Sequence, residues 1–417
     1  MSLVRNDIEI MSPVGSHESL MAAIQAGANS VYFGVEKLNM RAKSSINFTI
    51  EDLKEIASIC KENNVNTYLT VNTIIYDTDI FLMQEVINAA KENNISAIIA
   101  SDIASIQYAR SIGVEVHAST QLNVSNIETL RFYSTFCDVI VLARELNLNQ
   151  IKEISKAIIE QNITGPSGNL VKIEIFIHGA LCMAVSGKCY LSLHEKNYSA
   201  NRGVCLQTCR KAYIVTEKET GYELEIDNEY IMSPKDLKTI HFINKIIDAG
   251  VSVLKIEGRA RSPEYVKIVT ECYNEAINSI IDNSFNNNKI TKWNKKLENV
   301  FNRGFWDGYY LGQRLGEWSY KYGSQAKFRK EYIAKTTNYF TNIEIGEFLI
   351  ETGELNIGDK ILIIGPTTGV VEINIEEIRV DLQKVDKAIK GDKCSIPVKT
   401  FLRRSDRLYK LVNNDLK

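Results

Sequence analysis

The sequence predicts a TIM-like (β/α)8 barrel that carries a Cys-rich insertion and is followed by a small C-terminal β-barrel domain. Three observations predict it. Eight short apolar runs alternate with amphipathic stretches from Asp7 to about residue 282, an insertion of about 55 residues breaks the seventh unit, and the last 90 or so residues read as short strands between turns. At 417 residues the chain exceeds the size at which one core usually stops growing, which suits this division.

The expected barrel strands are 8–12, 30–34, 66–72, 97–101, 114–119, 138–143, 172–178 and 251–257. Several are nearly continuous in Val, Ile, Leu and Ala, as strands covered by helices on both faces require. Segments such as 50–63 and 80–92 carry apolar residues at helical spacing, and Gly27, Gly113 and Gly250 stand where a helix stops before the next strand. An open doubly wound sheet is the competing architecture, but no Gly-rich dinucleotide fingerprint follows the first strand. The expected boundaries are 1–283 for the barrel with its insertion at about 179–232, 284–323 for a connecting helix and strap, and 324–417 for the small β domain. Within the insertion, 212–217 and 222–226 read as a hairpin, and the next helical pattern starts at Ser233-Pro234-Lys235-Asp236. In the last domain strands are expected at 332–336, 340–345, 347–350, 360–364 and 370–375.

Composition narrows the function. The chain is 45% hydrophobic and 24% charged with a formal net charge of −2, so a nucleic-acid partner would need a local basic patch. No stretch approaches the roughly 20 apolar residues that cross a bilayer. The N-terminus lacks the apolar core of a secretion signal, so the cytoplasm is the expected location, with no membrane partner. Self-association stays open.

Eight cysteines in such a chain are not expected to form disulfides. Cys60, Cys137, Cys272 and Cys394 are scattered through apolar or mixed segments and read as small buried hydrophobes. The other four, Cys182, Cys189, Cys205 and Cys209, fall within 28 residues at the spacing C-x6-C-x15-C-x3-C. Four thiolates in loops at a barrel mouth are a candidate metal site, for zinc or an iron–sulfur cluster. Only the second pair has zinc-knuckle spacing, and the wide first half fits a cluster better. Gly187 and Gly203 would let the backbone approach the metal.

Active sites of this fold gather where strands end. Polar residues are frequent there: Asn39, Arg41, Asn72, Gln121, Arg144, His178, Glu257, Arg259 and Arg261 among them. Glu257 is the candidate acid or base, and Arg41, Arg144, Arg259 and Arg261 are the candidate substrate-binding groups. Pairing of Arg259 with Glu257, or of Arg144 with Glu145, would instead be structural. No His-Glu-x-x-His zinc motif and no Gly-x-Ser-x-Gly elbow occur. His178 and Cys182 lie close enough in sequence to raise a Cys–His nucleophile.

The stretch 176–210, with Gly179-Ala180-Leu181-Cys182 and Ser186-Gly187-Lys188-Cys189, resembles the signature of the U32 collagenase-like peptidase family. The likeness extends to Met11-Ser12-Pro13, Tyr32-Phe33-Gly34, Ser233-Pro234-Lys235-Asp236 and Lys255-Ile256-Glu257-Gly258-Arg259. Within that family the chain is most similar to the prephenate-dependent tRNA uridine hydroxylases. That resemblance implies hydroxylation of wobble uridine to 5-hydroxyuridine, with tRNA as substrate, prephenate as co-substrate and a Cys-ligated [4Fe-4S] cluster. Some members carry a further cysteine where this chain has Lys238, so Cys209 would be the fourth ligand. A U32-type peptidase or a zinc-stabilised binding protein is the alternative. For tRNA, Lys196, Arg202, Arg210 and Lys211 flank the cysteine loop with Tyr190 and Tyr198 between them, and further basic residues mark the C-terminal domain.

Overall fold

The computed structural model describes residues 4–42, 47–211, 213, 218–220, 232–313, 316–321 and 323–414. Eight parallel strands close into a barrel. They are β1 (Glu9–Pro13), β2 (Ser30–Phe33), β3 (Asn66–Val71), β4 (Ala97–Ala100), β5 (Val116–Ala118), β6 (Val139–Val141), β7 (Lys172–Gly179) and, after a short strand β8 (Asp236–Lys238), β9 (Val253–Ile256). Each pairs with its sequence neighbour, and β9 closes the ring by pairing with both β7 and β1, with Leu254 opposite Ile175 and Ile10. Six of them lie inside the runs expected from sequence, and β1 and β7 each run one residue further, to Pro13 and Gly179.

Helices cover the outside. They are α1 (His17–Gln25), α2 (Asp52–Glu62), α3 (Ile80–Glu92), α4 (Ile103–Ser111), α5 (Ile127–Ser134), α6 (Leu148–Glu160) and, after the short insertion helix α7 (Leu191–Lys196), α8 (Ile243–Asp248) and α9 (Pro263–Ile281). Polar caps define several starts: Ser16 accepts from the Ser19 amide and Asn147 from the Gln150 amide. One large apolar cluster fills the space between strands and helices, and a second, with Met11, Tyr32, Tyr68, Ile99, Val139 and Val253, fills the barrel interior. The two clusters follow from alternation, because successive strand residues face opposite sides.

The seventh unit departs from expectation. Where a helical pattern was expected from Ser233, β8 forms instead, antiparallel to the end of β7 and parallel to β10 (Phe305–Trp306), and the helix begins only at Ile243. The expected hairpin at 212–226 lies almost wholly outside the described residues. The connecting helix is present as α10 (Asn287–Glu298).

The C-terminal region forms an open sheet, not the expected closed β-barrel. Its strands are β11 (Phe328–Phe340), β12 (Ile345–Ile350), β13 (Glu354–Asn356), β14 (Lys360–Gly365), β15 (Gly369–Asn374), β16 (Ile378–Val380), β17 (Gln383–Val385), β18 (Lys387–Ile389), β19 (Lys393–Pro397) and β20 (Arg407–Asn413). The eight-stranded order is β15-β14-β20-β11-β12-β19-β16-β17, its two end strands do not pair with each other, and β13 with β18 stands apart. The reason lies at the β15 edge. The Gln25 side chain accepts from the Val370 amide at 3.1 Å and donates to the Thr368 carbonyl at 2.8 Å, while the Lys267 ammonium donates to the Val370 carbonyl at 2.6 Å. Groups that would bond a closing strand are therefore taken by α1 and α9. The stretch 341–343, expected as strand, is a single turn of 3-10 helix.

Candidate active site at the barrel mouth

Strand alternation builds the site. On β9, Val253 and Lys255 face the interior, and Glu257 follows them in the same sense at the mouth; on β3, Tyr68 and Thr70 are succeeded by Asn72. The insertion and the loops after β2, β5 and β6 close over these strand ends and leave a cavity of about 200 Å3. All nine residues expected as catalytic, substrate-binding or metal-binding line it, namely Glu257, Arg41, Arg144, Arg259, Arg261, Cys182, Cys189, Cys205 and Cys209, whereas Asn39 and His178 do not.

The charge on its walls is one-sided. Among the described residues, Arg41, Arg144, Arg210, Lys255, Arg259, Arg261 and Arg303 line it, against the single carboxylate of Glu257. Two more carboxylates stand behind the wall. Glu174 holds the Lys255 ammonium at 2.6 Å, and Asp236 faces Arg303 at 3.4 Å and Arg261 at 3.9 Å. Arg41 takes Glu257, at 2.9 Å. Among the described residues, the other three guanidiniums hydrogen-bond only to neutral oxygens. Arg259 donates to Asn39 Oδ1 and Thr70 Oγ1, Arg210 to the carbonyls of Leu181 and Pro234 and to Ser233 Oγ, and Arg144 to the Ala180 carbonyl. Arg144 also lies 3.9 Å above the Phe176 ring, and its buried Nε has no acceptor. Neither Arg259 with Glu257 nor Arg144 with Glu145 forms an ion pair among the described residues.

These surroundings set the protonation states. Burial pushes the Glu257 carboxyl up, but Arg41, Arg144 and Arg259 together hold it below its usual 4.5, so it is a carboxylate at neutral pH. Burial pulls Arg210 and Arg259 each down to about 10, as expected for cations with no carboxylate in contact. Both stay protonated near pH 7.

The four mouth cysteines are free thiols; Cys182 is exposed and the other three are half-buried. They are near enough for their charges to interact. The Cys209 thiol is pushed up to about 11 by burial, against the pull of Arg210 and with smaller contributions from Cys182, Cys205 and Cys189. Yet no three Cys, His, Asp or Glu side chains form a set able to hold a metal ion among the described residues. The expected iron–sulfur cluster, and zinc as its alternative, are overturned on this point. All four thiols line the cavity, with Cys205 within the field of Arg41 and Cys209 within that of Arg210. Gly203, expected to admit a metal, instead admits the backbone. Its φ is +81°, and a Cβ there would stand 2.4 Å from the Asn39 carbonyl. The other four cysteines are buried, as expected.

His178 cannot serve Cys182. A register shift between Phe176 and His178 places His178 opposite Ile256, on the helix-facing side of the barrel, against Tyr265, Tyr273 and Phe305. Burial, then Lys238 and Arg261, lower its pKa to about 3, so it is neutral. Sequence reasoning missed Lys255 and Arg303 as cavity walls, with Glu174 and Asp236 as their partners, and expected Arg210 on a tRNA-facing surface where it in fact lines the cavity. Lys255 was within reach, two residues before Glu257 on one strand face.

Comparison with known proteins follows the same lines. The profile of peptidase family U32 matches residues 15–320. A collagenase of Porphyromonas gingivalis is 63% identical over 405 residues, covering 97% of this chain and 98% of that protein. An uncharacterised protease of Methanocaldococcus jannaschii is 37% identical over 409 residues, covering 97% and 98%. The tRNA hydroxylation protein P1 of Bacillus subtilis is 31% identical over 366 residues, covering 86% and 83%. The expected placement nearest the tRNA uridine hydroxylases is thereby corrected, since identity to the collagenase is about twice as high. Among the described residues, no helix is long and apolar enough to cross a membrane.

Proposed function

This chain belongs to peptidase family U32, and from that membership we propose that the barrel mouth is a peptidase active site in which Glu257 accepts the proton of the attacking group. The observation that carries the reading is one ionised carboxylate, Glu257, in a wall of cations that also bears four free thiols. Peptide hydrolysis needs a base for water or a thiol, and positive charge where the carbonyl oxygen becomes an oxyanion. Glu257 supplies the first. Arg41, fixed by its bond to Glu257, and Arg259, fixed by Asn39 and Thr70, supply the second. Cys205, within the field of Arg41, is the thiol best placed to be the nucleophile.

The test is hydrolysis of a fluorogenic single-chain gelatin peptide by the full-length chain. Glu257→Gln should lower kcat by about 10²–10⁴-fold. Cys205→Ser should be comparably inactive if the thiol attacks, and near wild type if water does. Activity should persist through the neutral range and disappear as pH falls through the lowered pKa of Glu257, below 4.5, where the carboxylate becomes protonated. Absence of hydrolysis by the wild type, or full activity of Glu257→Gln, rejects the reading.

A second reading is favoured by the charge of the cavity. Seven cations suit a small dicarboxylate such as prephenate, and the relative named for tRNA hydroxylation supports uridine hydroxylation in tRNA. Loss of 5-hydroxyuridine derivatives from the tRNA of a deletion strain would favour it; unchanged nucleosides reject it.

A further inference from the structure

The cavity holds more positive charge than its own carboxylates answer. Among the described residues, Lys255, Arg41, Arg261 and Arg303 have acidic partners, whereas Arg144, Arg210 and Arg259 are bonded only to neutral oxygens. Arg259 is buried and Arg144 and Arg210 are half-buried, and withdrawing a guanidinium from water with no carboxylate in contact is costly, so a wall with three of them suits an anion from outside. Arg144 adds a second, independent sign. Its Nε is buried and has no acceptor among the described residues, and a buried donor left so is costly until something arrives to accept from it.

Size and wall chemistry narrow the anion. About 200 Å3 is below the roughly 300–1,000 Å3 of pockets that hold drug-sized ligands. Three chains wound around a common axis cannot enter such a space, but one chain end can. Tyr32, Phe176, Met40 and Leu181 contribute apolar surface beside the guanidiniums, which suits a side chain next to a carboxylate. Resting on the peptidase reading, we propose that this cavity receives the free C-terminal carboxylate of a single peptide chain, with Arg144 as the residue that selects for it. The enzyme then acts on chain ends released from larger substrates and not on an intact triple helix.

The experiment uses the full-length protein and two probes, N-acetyl-Ala-Ala-Phe and its C-terminal amide, in calorimetric titrations. The acid should bind roughly tenfold to a hundredfold more tightly than the amide. Arg144→Gln should remove most of that difference. Arg144→Lys, which keeps the charge but not the Nε donor, should recover only part of it, and circular dichroism of both variants checks that they fold. Equal binding of acid and amide, no binding of either, or an Arg144→Gln variant that keeps the full difference would each overturn the assignment. Malonate forms the other arm: if this free dicarboxylate binds more tightly than the peptide acid, the carboxylate comes from a small metabolite and the chain-end assignment falls. Cleavage is followed in the same samples. Selective binding without cleavage rejects the peptidase reading while the carboxylate site stands, and cleavage of acid and amide at equal rates does the reverse.

Discussion

Lys255 and Glu174 show what single residues do at this site. The pair sits at 2.6 Å with almost no exposure, one face of the lysine lines the cavity, and the second oxygen of Glu174 has no partner. Lys255 also lies 4.6 Å from the centre of the Tyr32 ring, whose π face favours the cation. A buried pair of this kind adds little net stability compared with apolar residues, yet half of it is costly to remove. Lys255→Met alone should destabilise the fold by about 3–5 kcal/mol, because the Glu174 carboxylate is left buried and uncompensated. Combining it with Glu174→Leu should cost less than Lys255→Met alone. Urea denaturation of the two single variants and the double measures the coupling, and simple additivity would show that the pair is not a unit.

At the level of elements, the end of β7 governs the site. The register shift before His178 turns that side chain away from the mouth, and Gly179 next to it lies against the Glu257 backbone just after β9. Gly179 has φ +102°, and a Cβ there would stand 2.4 Å from the Glu257 carbonyl and 2.9 Å from the Tyr265 hydroxyl, which itself donates to that carbonyl at 2.9 Å. Both the conformation and the space demand glycine. Gly179→Ala should therefore cost about 2–4 kcal/mol and lower peptide hydrolysis by moving the strand that carries Glu257. Thermal unfolding and activity should fall together; an unchanged melting temperature would mean that β7 and β9 adjust freely here.

For the whole molecule, the junction between barrel and C-terminal sheet is what keeps the sheet open. Ala22 on α1 packs with Leu362, Ile364 and Val370, and Gln25 bonds both Thr368 and Val370. Gly369, at φ +68°, lets Gln25 approach, since a Cβ there would stand 2.6 Å from its Oε1. Lys330 adds an ion pair to Glu264 at 2.8 Å. Gln25→Ala removes two hydrogen bonds and should weaken the junction by about 1–2 kcal/mol. Hydrogen exchange at Val370 and its neighbours should speed up in that variant, while the barrel strands keep their protection. Unchanged exchange along β15 would show that the edge is held by apolar packing alone.

The sequence by itself determined the barrel and the location of its site. Runs of Val, Ile and Leu bounded by glycines are local signals, and the ends of eight such strands in a closed barrel converge on one mouth whatever the side chains there. Hence Arg41, Arg144, Arg259, Arg261, Glu257 and the four thiols were legible as one group and do line one cavity. Only the tertiary structure decided their partners. Glu174 reaches Lys255 across 81 positions of sequence and Arg303 reaches Asp236 across 67, and no periodicity encodes such meetings. The same holds for the turn of His178 away from Cys182 and for the open C-terminal sheet. Each depends on a register shift, a packed side chain or an occupied strand edge, and these exist only once distant segments compete for the same space.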